Sequence, residues 1–149
     1  AIEEITFVAL IWLPAIVGSF TYGSTLQSSD VTSHTALLSI TLFALGSYLN
    51  SGLELQRSQW KKLPQHKGKL YTIGLAKWSR NINYFGDVLL FAGWATLSGQ
   101  WWNLWVPLAM GLAFALHHIP DKEAYLREKY SQEWPAYERN TKALIPFVY

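Results

Sequence analysis

Ser79-Arg80-Asn81-Ile82-Asn83-Tyr84-Phe85-Gly86-Asp87 stands at the head of a run that carries no charged residue from Val88 to Pro120. Arginine, asparagine, tyrosine and aspartate beside hydrocarbon are costly to desolvate unless they are paired or hold a ligand. The stretch is therefore a candidate site, and the uncharged run behind it decides the fold class. Two further gaps, between Glu4 and Asp30 and between Asp30 and Glu54, are equally free of charge. Each gap can hold a membrane span, since about 20 apolar residues cross the hydrocarbon core. The expectation is an all-α integral membrane protein with about four transmembrane helices, the last two a tight hairpin, followed by a polar amphipathic C-terminal helix. Half of the residues are hydrophobic and only 15% are charged, which is apolar for a soluble domain.

The basic residues point to an orientation. Arg57, Lys61, Lys62, Lys67, Lys69, Lys77 and Arg80 lie in a central segment, and Lys122, Arg127, Lys129, Arg139 and Lys142 lie in the tail. An even number of spans between them returns both groups to one face. The positive-inside rule then puts the basic loop and the C-terminus on the cytoplasmic side or its organellar equivalent. With no cysteine, disulfides, thiolate catalysis and cysteine-held metals are excluded. Nothing in the charge pattern points to nucleic acid, while membrane lipid is an expected partner. The absence of an initiating Met at Ala1 suggests a processed or partial polypeptide.

One membrane domain, residues 1–149, is expected, divided into two N-terminal spans (1–53), a basic loop (54–82), a helical hairpin (83–120) and a polar tail (121–149). The spans are read over 5–22 and 34–53, the second continuing as a helix through Trp60. The hairpin has limbs at 87–97 and 101–118, with Ser98-Gly99-Gln100 as its turn. Trp101, Trp102 and Trp105 cluster there, where indoles favour the membrane interface. Beyond Pro120 the spacing predicts a single surface helix over 121–140 with Glu123/Arg127 as one helical ion pair. Residues 144–149 form an apolar strap.

No Gly-rich dinucleotide fingerprint, P-loop, nucleophile elbow or HExxH is present. Any nucleotide site must be built from side chains between helices. His117 and Asp121 are too few donors for a metal centre, so no metal site is assigned.

Gly74-Leu75 followed by Trp78-Ser79-Arg80 and Asn83-Tyr84-Phe85-Gly86-Asp87 resembles the C-terminal signature of the sterol and steroid reductase superfamily. That superfamily includes the delta-14 and delta-7 sterol reductases and the 5-alpha-reductase-like proteins. Glu54, Gln56-Arg57, Trp60-Lys61, Pro64 and Gly68 are similar to its basic helix end. Glu123, Lys129-Tyr130, Trp134, Tyr137 and Ile145-Pro146 are similar to its tail, so the resemblance runs from Glu54 to Tyr149. It implies NADPH-dependent reduction of a carbon–carbon double bond in a sterol, steroid or other lipid. It also implies that Arg57 and Lys61 meet the nucleotide phosphates, and that Arg80, Asn83 and Tyr84 hold the nucleotide and nicotinamide side. Asp87 and Tyr84 would sit at the reacting centre, while Glu123, Lys129, Tyr130 and Tyr137 close the adenosine end.

Asn81, Ile82 and Ala76 stand where the family often has histidine, proline and tryptophan. Complete reductases carry additional N-terminal helices that this chain is expected to lack. Two alternatives follow. One is a non-catalytic structural subunit of a larger membrane complex that keeps the fold, binds no cofactor and has other membrane subunits as partners. The other is a membrane methyltransferase using S-adenosylmethionine, since the isoprenylcysteine carboxyl methyltransferases share the Arg80 and Tyr84 spacing. Arg80, Asn83 and Asp87 also fit a buried network at a helix start, with Asn83 as its cap.

Overall fold

The computed structural model describes residues 17–18 and 33–149; the span read over 5–22 lies outside them apart from Val17 and Gly18. Among the described residues every regular element is helical. The first, α1, runs over Ser33–Lys61 and is the one described helix that is long and apolar enough to cross a membrane. It agrees with the expected second span and its continuation through Trp60.

α1 packs antiparallel on α2 (Ile82–Leu97) through a line of small residues. Ser39, Gly46, Leu49 and Leu53 face Gly93, Gly86 and Ile82. The two backbones touch: a Cβ added to Gly86 would stand 2.7 Å from the Gly46 carbonyl oxygen and 2.8 Å from the Asn50 amide nitrogen. One added to Gly93 would stand 2.7 Å from the Ser39 carbonyl oxygen. So close a backbone approach gains van der Waals contact along the whole line of small residues. The opposite face of α1 shows Leu37, Leu38, Ile40 and Leu55 to the outside.

After α1 the chain turns through Pro64–His66 and returns as an extended connector to a short 3-10 turn, Gly74–Lys77. Gln56 ties that connector to the end of α1. Its side-chain oxygen accepts from the Tyr71 hydroxyl at 3.1 Å and from the Leu75 amide at 3.0 Å. Tyr71, Leu75, Ala76 and Ile82 complete a core with Leu49 and Leu53. Gly74 has φ 60°, a left-handed turn next to Gln56 that leaves no room for a Cβ.

The hairpin is observed, with longer limbs than the sequence reading. α2 begins at Ile82, so Asn83 lies inside the first turn and caps nothing; Asn81 flanks the helix and makes no side-chain cap either. Its 16 residues span about 24 Å, short of the roughly 30 Å hydrocarbon core. The turn closes at Gly99 (φ 69°). The return limb is a 3-10 turn (Trp101–Leu104), then α3 (Trp105–Ala113) and a π-helical turn (Phe114–His118). Trp101 and Trp105 are exposed at this end.

Three expectations fail beyond this point. The return limb does not stop at Pro120 but continues directly as α4, Ile119–Lys129. Pro120 lies at the start of α4, directly after the π turn in which the Ile119 amide reaches back to the Phe114 carbonyl, so a proline is accommodated where an uninterrupted α-helix would be broken. The single tail helix over 121–140 is instead α4 and α5 (Trp134–Asn140), joined by a turn at Tyr130–Glu133, with Pro135 in the first turn of α5. Proline is tolerated there because its missing N–H has no helical partner. The expected Glu123/Arg127 pair is also absent. Arg127 donates to Glu138 of α5 at 2.6 Å, and Glu123 is buried.

Candidate functional site

The polar stretch is where the tail is fastened to the hairpin. Ser79 forms a bridge with Lys142, the Arg80 amide donates to the Lys142 carbonyl at 2.8 Å, and the Asn81 amide donates to the Ala143 carbonyl at 3.1 Å. The Arg80 side chain grips Glu123 of α4 with two parallel bonds, from Nε at 2.8 Å and from a terminal nitrogen at 3.0 Å. Its other terminal nitrogen donates to the carbonyls of Glu138 (3.0 Å) and Thr141. The guanidinium lies 5.8 Å from the centre of the buried Trp134 ring. Asn81 adds donors to Glu123 (3.2 Å) and to the Ala143 carbonyl (2.9 Å). Desolvating Arg80 and Glu123, with side chains only 10% and 11% exposed, is compensated by these partners.

Beside this network α1, the connector, α4 and α5 line a half-open cavity of about 60 Å³. Of the residues read as site residues, Arg57, Lys61, Arg80, Tyr130 and Tyr137 line it. Tyr137 donates its hydroxyl to the Ala76 carbonyl at 2.7 Å, and burial drives that hydroxyl's pKa well above the ordinary tyrosine value. Arg57 is paired with Glu54 at 2.5 Å. An open cleft of about 440 Å³ continues outward along Glu54, Arg57, Ser58, Lys61 and Lys62. Glu123 reaches the site as the partner of Arg80.

Tyr84 stands at one side, its ring stacked on Phe114 at 4.5 Å between centroids with 9° between planes. Asp87 lies one turn further along α2 and accepts a hydrogen bond from Asn50 of α1. Asn83 buries a side-chain oxygen that has no donor. Lys129 is not in the cavity: its ammonium donates to the Tyr125 hydroxyl at 2.9 Å, and it borders a separate open depression with Gly68 and Ser131.

The residue that sequence reasoning passed over is Lys122, which lines the cavity and holds its ammonium 4.7 Å from the centre of the Tyr84 ring. Its neighbour Glu123 belonged to a recognised pattern and Lys122 did not. The signal that was available is its position one turn before Leu126, on the face of α4 that also closes the cavity. Tyr71 was passed over as well; it lines the cavity and donates to Gln56.

The Delta(14)-sterol reductase ERG24 of Candida albicans is 32% identical to this chain over 125 residues, 76% of the chain and 28% of that protein. The Delta(14)-sterol reductase ERG24 of Saccharomyces cerevisiae is 29% identical over 123 residues, 74% of the chain and 28% of that protein. The chain thus spans little more than a quarter of the length of these curated relatives. Helical fold, apolar helix and sequence likeness together define a sterol-reductase-like membrane protein. Within that class the chain belongs to the DUF1295 family, described as protein of unknown function, whose profile matches residues 4–141.

Proposed function

We propose that this chain is the cofactor-holding part of an NADPH-dependent membrane reductase that reduces a carbon–carbon double bond in a sterol, steroid or similar lipid. The observation that carries the reading is the meeting of Arg57 and Lys61 of α1 with Arg80, Tyr130 and Tyr137 in one cavity. Residues far apart in sequence converge there with the chemistry that a polyanionic dinucleotide needs.

The donor set fits the phosphate-bearing end of the cofactor. The cavity's volume of about 60 Å³ is well below the roughly 300–1,000 Å³ of whole-ligand pockets, so the rest would extend along the open cleft at Ser58 and Lys62. Arg57 and Lys61 bind, Tyr130 and Tyr137 close the pocket wall, and Arg80 with Glu123 and Asn81 fastens the tail that carries that wall. When bound, NADPH supplies a hydride to one carbon of the double bond. In this reading Tyr84 or Asp87 would deliver the proton to the other. Asn83, with its unpaired buried oxygen, offers an acceptor one turn before Asp87.

Around this site we read four spans. They are residues 5–22, α1, α2, and the limb from Trp101 through the π turn. The basic loop and tail lie on the cytoplasmic or equivalent face. Joining of loop and tail at Ser79–Lys142 supports a common side.

A second reading, a structural subunit of a larger membrane complex, is favoured by one observation: the Arg80 donors are already engaged by protein acceptors. Titrating the purified full chain in lipid nanodiscs with NADPH separates the two. Cofactor fluorescence should shift, and Arg57→Ala or Lys61→Ala should weaken binding about 10-fold or more, the scale of one charged hydrogen bond. No nucleotide binding together with stoichiometric co-purification in an assembly overturns the reductase reading. Selective binding of S-adenosylmethionine replaces it with methyl transfer.

A further inference from the structure

Lys122 is a partly buried cation with no carboxylate in ion-pair contact among the described residues. Four cationic side chains, Arg57, Lys61, Arg80 and Lys122, surround the cavity. Two carboxylates oppose them, Glu54 on Arg57 and Glu123 on Arg80. Arg80 is neutralised within its own network, and Arg57 is paired at the rim. The surplus of two positive charges therefore gathers at Lys61, Lys122 and the outer face of Arg57. A phosphomonoester is close to a dianion at neutral pH because its second pKa is about 6. A phosphodiester or a pyrophosphate phosphorus carries one charge. The half-open cavity of about 60 Å³ suits one such compact group.

We propose that Arg57, Lys61 and Lys122 seat a phosphomonoester dianion, the 2′-phosphate that distinguishes NADPH from NADH, and that Lys122 is the residue that reads it. The identity of the molecule rests on the reductase reading; the seat itself does not. Arg57 and Lys61 come from α1 and face the open cleft, whereas Lys122 comes from α4 and is held from within by the Tyr84 ring. A preplaced ammonium loses little freedom on binding.

The ammonium also carries a proton-linked signature. Burial lowers its pKa below the ordinary lysine value, Arg57 adds to that effect, and Glu54 and Glu123 oppose it. The other charged or titratable groups around the cavity are Lys61 of α1, Arg80, Tyr71, Tyr130 and Tyr137. A dianion beside Lys122 restores the ammonium. Binding above the lowered pKa must therefore take up a proton, and affinity must fall as pH rises.

The test is isothermal titration of the intact protein in nanodiscs with NADPH, NADH, 2′-AMP and inorganic phosphate, in buffers of different ionisation enthalpy. Wild type should prefer NADPH. Lys122→Gln should weaken NADPH and 2′-AMP about 10- to 100-fold, leave NADH within about 2-fold, and abolish proton uptake. Lys122→Arg should recover most of the NADPH affinity, and Lys67→Gln in the basic loop, away from the cavity, should match wild type. Equal losses for NADPH and NADH, or no loss for either, overturn the proposal while leaving the reductase reading in place. If wild type binds neither nucleotide, the reductase reading fails. The seat then stands if 2′-AMP or phosphate binds and is weakened by Lys122→Gln, and falls if neither binds.

Discussion

Removing Arg80 separates its role as a fastener from any role as a ligand residue. Arg80→Ala leaves Glu123, whose side chain is 11% exposed, as a buried carboxylate with only the Asn81 amide as donor. It also strips donors from the Glu138 and Thr141 carbonyls and takes the cation from the Trp134 ring. Breaking a buried pair by removing one partner costs about 3–5 kcal/mol. At about 1.4 kcal/mol per tenfold, the open population of the tail should rise by roughly two to four orders of magnitude. Hydrogen exchange followed by mass spectrometry in nanodiscs reads this directly: peptides from 119–144 should lose protection by that factor, while those from the α1–α2 contact keep theirs. Glu123→Gln should show a smaller loss at the same amides, because its oxygen still accepts. Unchanged tail exchange in Arg80→Ala, accompanied by loss of nucleotide binding, would refute the reasoning and return Arg80 to the ligand.

Gly86→Ala drives a Cβ into the Gly46 carbonyl and the Asn50 amide, both backbone, so α1 and α2 must part. Overpacking of this kind costs about 1–3 kcal/mol, and the thermal midpoint by circular dichroism should fall. Gly111→Ala meets only Val88 at 3.7 Å and should leave the midpoint unchanged. Tyr137→Phe removes the bond to the Ala76 carbonyl, worth about 0.5–1.5 kcal/mol. The folded protein holds the Tyr137 proton more tightly than the unfolded chain, whose pKa is the ordinary 10.0. Its stabilisation is therefore complete below that pH and lost as pH rises beyond it. Denaturation between pH 9 and 11 should show this extra alkaline slope in wild type and not in Tyr137→Phe. Glu133→Gln weakens the carboxylate bond to the Leu70 amide (2.7 Å) that closes the connector over the cavity, and Leu70 exchange should accelerate several-fold.

Much of the helical plan was legible in the residues. The uncharged gap from Val31 to Leu53, with the polar turns after it, sets α1, and Ser98-Gly99-Gln100 sets the hairpin turn. Apolar runs and turn residues act locally, so they read directly. Pro120 misled because its effect depends on the π turn before it, a feature with no residue signature. The split of the tail into α4 and α5 was marked by Pro135, yet its meaning depends on Arg127 finding Glu138 across the turn.

The residue types of a site are written in the chain: arginine, lysine, tyrosine and asparagine near apolar spans announce polar groups that must be paired or liganded. Which of them are consumed by the fold is a matter of distance in three dimensions. Arg80, the most conspicuous residue of the opening stretch, spends its donors on Glu123 and the tail carbonyls. Lys122, which no pattern singled out, is left at the cavity with its charge uncompensated by a contacting carboxylate. Charge is a property of sequence, but surplus charge arises only after packing has chosen the partners.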